Sequence, residues 1–169
     1  MAFTTSSQIG VDLNNASSTQ LFTLNQSVLG SDDSLWQYVV ATAALVTGQL
    51  VAIQPQGTAI ALSTGFVAAS TGGLDIGVAQ FPISSTQYGF VAKKGTNLYI
   101  LCSGTVPPTT QVAFSATSGA LVTSLLAAVG NTAAGIYITT SASTAGLSCA
   151  IGIVTFPRAA PATSTTPMS

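Results

Sequence analysis

The sequence predicts an all-β domain: a small antiparallel β-barrel or sandwich with an extended N-terminal arm and a C-terminal tail. Three observations carry that expectation. From Trp36 onward, short apolar runs rich in Val, Ile, Tyr and Phe are punctuated by Gly, Pro and Thr/Ser clusters, at the roughly 8–12-residue spacing of consecutive strands. The one helical candidate, residues 121–129 ending before Gly130, is too short to be a stable helix. The length of 169 residues suits one compact core flanked by tails.

Taken in order, residues 1–34 form a polar arm rich in Ser, Thr, Asn and Gln, interrupted by the apolar positions Leu21, Phe22, Leu24, Val28 and Leu29. Residues 35–156 form the β domain, with strands expected at 35–42, 45–53, 58–63, 74–81, 87–93, 97–103, 110–115, 119–123, 134–140 and 147–155. Gln54-Pro55-Gln56-Gly57 reads as a turn, because Pro presets its own φ and Gly accepts a positive one. Lys94-Gly95-Thr96-Asn97 reads as a second tight turn, and Pro107-Pro108 marks a loop or an edge. Residues 157–169, with Pro157, Pro161 and Pro167 among Ala, Ser and Thr, form an extended or mobile tail. A faint echo links residues 46–60 to 106–121, each reading as turn, strand, turn and return strand, which supports repeated hairpins.

Charge excludes most residue-driven chemistry. Charged residues are 4% of the chain, where about 25% is usual. Three basic residues, Lys93, Lys94 and Arg158, stand against four acidic ones, Asp12, Asp32, Asp33 and Asp75; His and Glu are absent and the net charge is −1. The usual general base, the commonest zinc ligand and any Ser/His/Asp or Cys/His arrangement are therefore missing, so no enzyme and no cofactor is expected. So few cations leave no footprint for nucleic acid or an anionic membrane. Residues 35–53 carry no charge, yet Gln37, Thr42, Thr47, Gly48 and Gln49 interrupt them and no Lys or Arg flanks them, so strands and not a membrane span are expected. Residues 1–10 have neither the basic nor the apolar region of a secretory signal. A neutral, hydroxyl-rich exterior without interspersed charge suits a chain that works in an assembly.

The remaining candidates have bland readings. Cys102 and Cys149 each alternate with aliphatic residues and read as buried free thiols, small hydrophobes in effect. Asp32-Asp33 reads as a turn or cap, since adjacent residues on extended chain point apart. Lys93-Lys94 reads as a solvated turn or as a pairing site for an acidic patch on a partner. The aromatic residues of the strands, Tyr88, Tyr99 and Tyr137 among them, read as core. A sugar-binding platform built on them would be expected to recruit some Asp, Glu or Arg as well, and such companions are missing from the sequence surroundings of these tyrosines.

The segments Leu45-Val46-Thr47-Gly48-Gln49-Leu50-Val51, Ile76-Gly77-Val78-Ala79, Gly89-Phe90-Val91-Ala92-Lys93-Lys94-Gly95, and Gly104-Thr105-Val106 with Gln111-Val112-Ala113-Phe114 occur in that order. In this sequence they resemble the capsid decoration (cement) proteins of tailed bacteriophages, and Ala150-Ile151-Gly152-Ile153-Val154 resembles the closing strand of such small barrels. The resemblance implies a structural virion protein, made in the host cytoplasm, that binds the outside of an icosahedral head and ties major capsid proteins together. It implies a homo-oligomer, a trimer or dimer, with no catalytic residues. Leu21, Phe22, Leu24, Val28, Leu29, Lys93 and Lys94 are the candidate partner-binding residues. A tail or fibre adhesin is the alternative, since such proteins are also β-rich and poor in charge.

Overall fold

A computed structural model describes residues 12–63, 74–108, 112–114, 120–123, 132–140 and 147–160. These form ten strands: β1 (Ser27–Leu29), β2 (Leu35–Ala41), β3 (Leu50–Ile53), β4 (Thr58–Ala61), β5 (Leu74–Ala79), β6 (Tyr88–Ser103), β7 (Val112–Phe114), β8 (Leu121–Thr123), β9 (Thr132–Ile138) and β10 (Leu147–Ala160). No helix occurs among the described residues. The all-β expectation holds, and the alternative between barrel and sandwich resolves to a barrel. β2, β4, β3, β5 and β6 pair in that order, and β6 returns to β2, so the sheet closes on itself. Closure removes the free edges that open sheets expose.

A second ring of pairings follows the same plan. β6, β8, β7, β9 and β10 pair in that order, and β10 returns to β6. Each ring contains one parallel contact, β2 with β4 and β6 with β8, so the arrangement is not purely antiparallel. The parallel contacts arise because each hairpin, β3–β4 or β7–β8, lays its second strand beside the ring's first strand. The sequence echo falls on these two hairpins. The correspondence extends to the register: Gln37, Tyr38, Val39 and Val40 face Val91, Phe90, Gly89 and Tyr88, while Leu98, Tyr99, Ile100 and Leu101 face Gly152, Ile151, Ala150 and Cys149. Every member of the second ladder stands at the same sequence distance from its counterpart in the first.

The strands of the first ring bury both faces, which explains why their apolar alternation is incomplete. Successive side chains on a strand point to opposite sides. Trp36, Tyr38, Leu50, Ala52, Ile76, Val78, Phe90 and Ala92 enter one apolar cluster. Val39, Ala41, Val51, Ile53, Ala79 and Val91 enter another. The first cluster continues into the second ring through Leu98, Ile100, Cys102, Ile136, Ile138 and Ala150. Leu45 in the β2–β3 connection and Ile83 in the β5–β6 connection bridge to one another and, with Phe81, extend the second cluster.

The Gln54–Gly57 turn forms as expected: Gly57 has φ +83° and donates its N–H to Gln54 O at 2.8 Å. The expected turn at 94–97 does not form, and β6 runs unbroken from Tyr88 to Ser103. Its first half closes one ring and its second half opens the other; Lys94 lies opposite both Leu35 and Thr155, and the register shifts on both sides of it. Asn97, with φ 57°, accommodates the irregularity as a bend within the strand. The strand expected at 45–53 begins only at Leu50, after a turn at Gly48 with φ +79°. At the other end, β10 extends through Pro157 to Ala160, so residues 157–160 belong to the sheet. Pro157 is buried where the β9–β10 register breaks between Val154 and Arg158, a position at which a missing N–H is tolerated. The rest of the expected tail, 161–169, lies outside the described residues, as do residues 1–11 of the arm.

Candidate docking surfaces

The described part of the arm, residues 12–34, lies against the first ring. β1 pairs with β2, placing Val28 opposite Trp36, and Ser17 exchanges backbone hydrogen bonds with Tyr88 at 2.9 and 2.8 Å. Phe22 packs edge-on to Tyr38, with ring centroids 5.2 Å apart, and 5.5 Å from Phe90. The Tyr38 hydroxyl accepts the Leu21 N–H at 3.0 Å. The five apolar arm positions therefore divide. Val28 is 2% exposed and Phe22 and Leu24 pack on the core, whereas Leu21 and Leu29 are 65% and 57% exposed. Their spacing showed an apolar patch, but which residues the barrel covers depends on contacts with β2 and β6, remote in sequence.

The two lysines also divide. Lys93 is buried and its ammonium pairs with the Asp75 carboxylate of the same chain, which is half-exposed. It is not part of a solvated turn. Lys94 is exposed at the junction of the rings, opposite Leu35 and Thr155. Asp32 accepts the backbone N–H of Ser34 at 3.2 Å and the Ser34 hydroxyl proton, and Ser34 Oγ in turn accepts the Trp36 indole N–H at 2.7 Å. This carboxylate therefore organises the turn into β2, as its place in the sequence suggested.

A surface that sequence reasoning assigned to the core stands open on the second ring. Tyr99 on β6 lies opposite Ile151 on β10, and Ile153 on β10 lies opposite Tyr137 on β9. Residues directly opposite share a face, as do residues two apart on a strand. The four side chains thus form one band across three strands. Tyr99 and Tyr137 are 43% and 58% exposed, and the two isoleucines are half-buried. Alternation in β9 and β10 located the strands, but it could not distinguish the covered face from the open one. The clue was composition: apolar residues sit on both alternating sets, so one set had to lie outside or under another layer.

Cys149 continues the band on β10 and is exposed, while Cys102 faces the opposite way and is buried; both are free. The expectation of two buried thiols holds only for Cys102. Burial pushes the Cys102 thiol up to about 11, and partial desolvation also raises Cys149. Both therefore remain protonated and weakly nucleophilic near neutral pH. Among the described residues no group of three potential metal ligands forms. No described helix is long and apolar enough to cross a membrane. Comparison of the sequence with protein-family models and with curated proteins finds no match.

Proposed function

We propose that this chain is a structural virion protein that binds the outer surface of an icosahedral phage head and stabilises contacts between major capsid proteins. The observation that carries the reading is the open band of Tyr99, Ile151, Ile153 and Tyr137 on a chain with almost no charge. Large aromatic side chains held on a rigid sheet lose little entropy on docking and supply much apolar area, which makes them effective anchors. Exposed apolar patches of this kind mark interaction sites. The exposed Leu21 and Leu29 add contacts on the first ring, and Lys94 adds an exposed cation at the junction. The motif resemblance to capsid decoration proteins supplies the identity of the partner.

The mechanism is adhesion without chemistry. Each apolar contact is weak alone, and an oligomer, a trimer or dimer, presents several at once, so avidity holds the complex on the head. With little charge to screen, binding changes little between low and high salt. The test is quantitative mass spectrometry of gradient-purified particles, comparing this chain with the major capsid protein. A fixed ratio of hundreds of copies per head is expected on symmetry grounds. A handful per particle overturns the reading in favour of a tail or fibre protein, and absence from particles removes the virion role altogether.

A further inference from the structure

Where the arm meets the first ring they form a half-open cleft of about 260 Å³, lined by Asp12, Asn15, Ser17, Phe22, Tyr38 and Tyr88 among others. We propose that this cavity binds one neutral sugar ring, the terminal unit of a glycan. Its size suits a monosaccharide and falls below the range of ordinary drug-sized sites. Its floor is aromatic: Tyr88 stacks on Tyr38 at 6.1 Å with an interplanar angle of 14°, and Phe22 stands nearly perpendicular to Tyr38 at 82°. Tyr38 is buried and fixes the half-buried Tyr88 and Phe22 in place. The C–H face of a pyranose is apolar and packs on what the half-buried Tyr88 and Phe22 leave accessible, the buried Tyr38 and Phe90 serving only to back them.

The rim supplies the polar companions that a sugar's hydroxyls need. One Asp12 oxygen accepts the Asn14 N–H at 2.9 Å, which orients the carboxylate. The Asn15 amide both donates and accepts. Tyr38 accepts from the Leu21 N–H and keeps its own hydroxyl proton to donate. Ser17 Oγ accepts from the Thr19 N–H at 3.0 Å and likewise retains a proton. In the sequence, Asp12 lies far from Tyr88. The Ser17 to Tyr88 bridge brings them to one cavity, placing an acidic companion beside the aromatic rings.

Competing ligand classes fit less well. Among the described residues that line it there is no cation, so anionic sugars and phosphates find no partner there. A quaternary ammonium needs several ring faces open around it. Here Tyr38, Phe22 and Phe90 pack on one another at 4.9 to 5.5 Å, filling the space between their faces.

Saturation-transfer NMR on the full purified chain tests the proposal, with glucose, galactose, mannose and N-acetylglucosamine as probes at millimolar concentration. Transfer to at least one of these sugars is expected. Asp12→Asn, at an exposed position where the amide oxygen can still accept the Asn14 N–H, should weaken that binding about tenfold, the loss of one charge-assisted hydrogen bond. Tyr88→Ala should abolish it, while Thr96→Ala, an exposed position on β6, should leave it unchanged. No transfer to any of the sugars, or transfer that survives both Asp12→Asn and Tyr88→Ala, overturns the proposal. The measurement uses no particle, so its outcome is independent of the capsid reading.

Discussion

The two rings share a connectivity and a register but differ in what covers them. In the first ring, Tyr38 and Phe90 face one another across β2 and β6 and are buried beneath the arm. Their counterparts in the second ring, Tyr99 and Ile151, face one another across β6 and β10, and Tyr99 is 43% exposed. Backbone satisfaction differs in the same way. The Tyr38 carbonyl accepts the Asn25 N–H and the Tyr38 N–H goes to Gln26 O, both at 2.9 Å. At Tyr99 the Gln80 side chain does both, donating to the carbonyl at 3.0 Å and accepting the N–H at 2.9 Å. One ring is thus finished by a segment of main chain and the other by a single amide. The same strand plan serves as core where a layer covers it and as an exposed face where none does.

The difference predicts unequal responses to equivalent substitutions. Phe90→Ala, in the covered face, should cost about 3–5 kcal/mol of unfolding free energy in a denaturant titration; a loss below about 1 kcal/mol would mean that the arm does not hold this face closed. A smaller effect belongs to the two thiols. Cys102 is raised to about 11 from an ordinary value of 9.0, so its contribution is complete below pH 9.0 and is lost as pH climbs towards 11. Stability should therefore fall by about 2 kcal/mol across that window. Cys102→Ala should flatten this part of the curve and Cys149→Ala should leave most of it, read from urea midpoints at successive pH values. The smallest effect is expected at Tyr99→Ala and Tyr137→Ala, within about 0.5 kcal/mol of the parent. The same pair should reduce retention on purified heads, and unchanged retention would show that the open face is not the contact.

Much of the architecture was legible because barrel strands are short and bounded by residues with stated backbone preferences. The Gln54 to Gly57 turn could be read directly, since Pro55 and Gly57 dictate its geometry locally. The stretch from Lys94 to Asn97 has equally good turn chemistry, yet pairing of Lys94 with β2 and of Lys94 and Gly95 with β10 keeps it within β6, and only a bend remains at Asn97. Tertiary pairing overrode local preference there, and no single-chain pattern records how many neighbours a strand will have. The candidate docking residues show the same boundary. Leu21 and Leu29 were identifiable as apolar in a polar segment, whereas the Tyr99 to Tyr137 band emerges only when three strands are placed side by side. The contrast between Lys93 and Lys94 likewise depends on Asp75, a residue on another strand.

That β6 belongs to both rings has a consequence for synthesis. A chain emerging from its N-terminus can close the first ring once β6 has been made, but the second must wait for β10, which pairs with β6 from Leu147 to Thr155. At about 5–20 residues per second, this leaves the far half of β6 without that partner for some seconds. An unpaired edge of that kind is a template for misjoining with a sister chain. The Gln80 amide already blocks one flank at Tyr99, and Leu101 donates its N–H to Gly48 O at 2.8 Å on the same stretch. Both blocking groups precede β6 in the chain, so this flank is protected as soon as the strand is made, and nascent aggregation should track the exposure of the opposite flank.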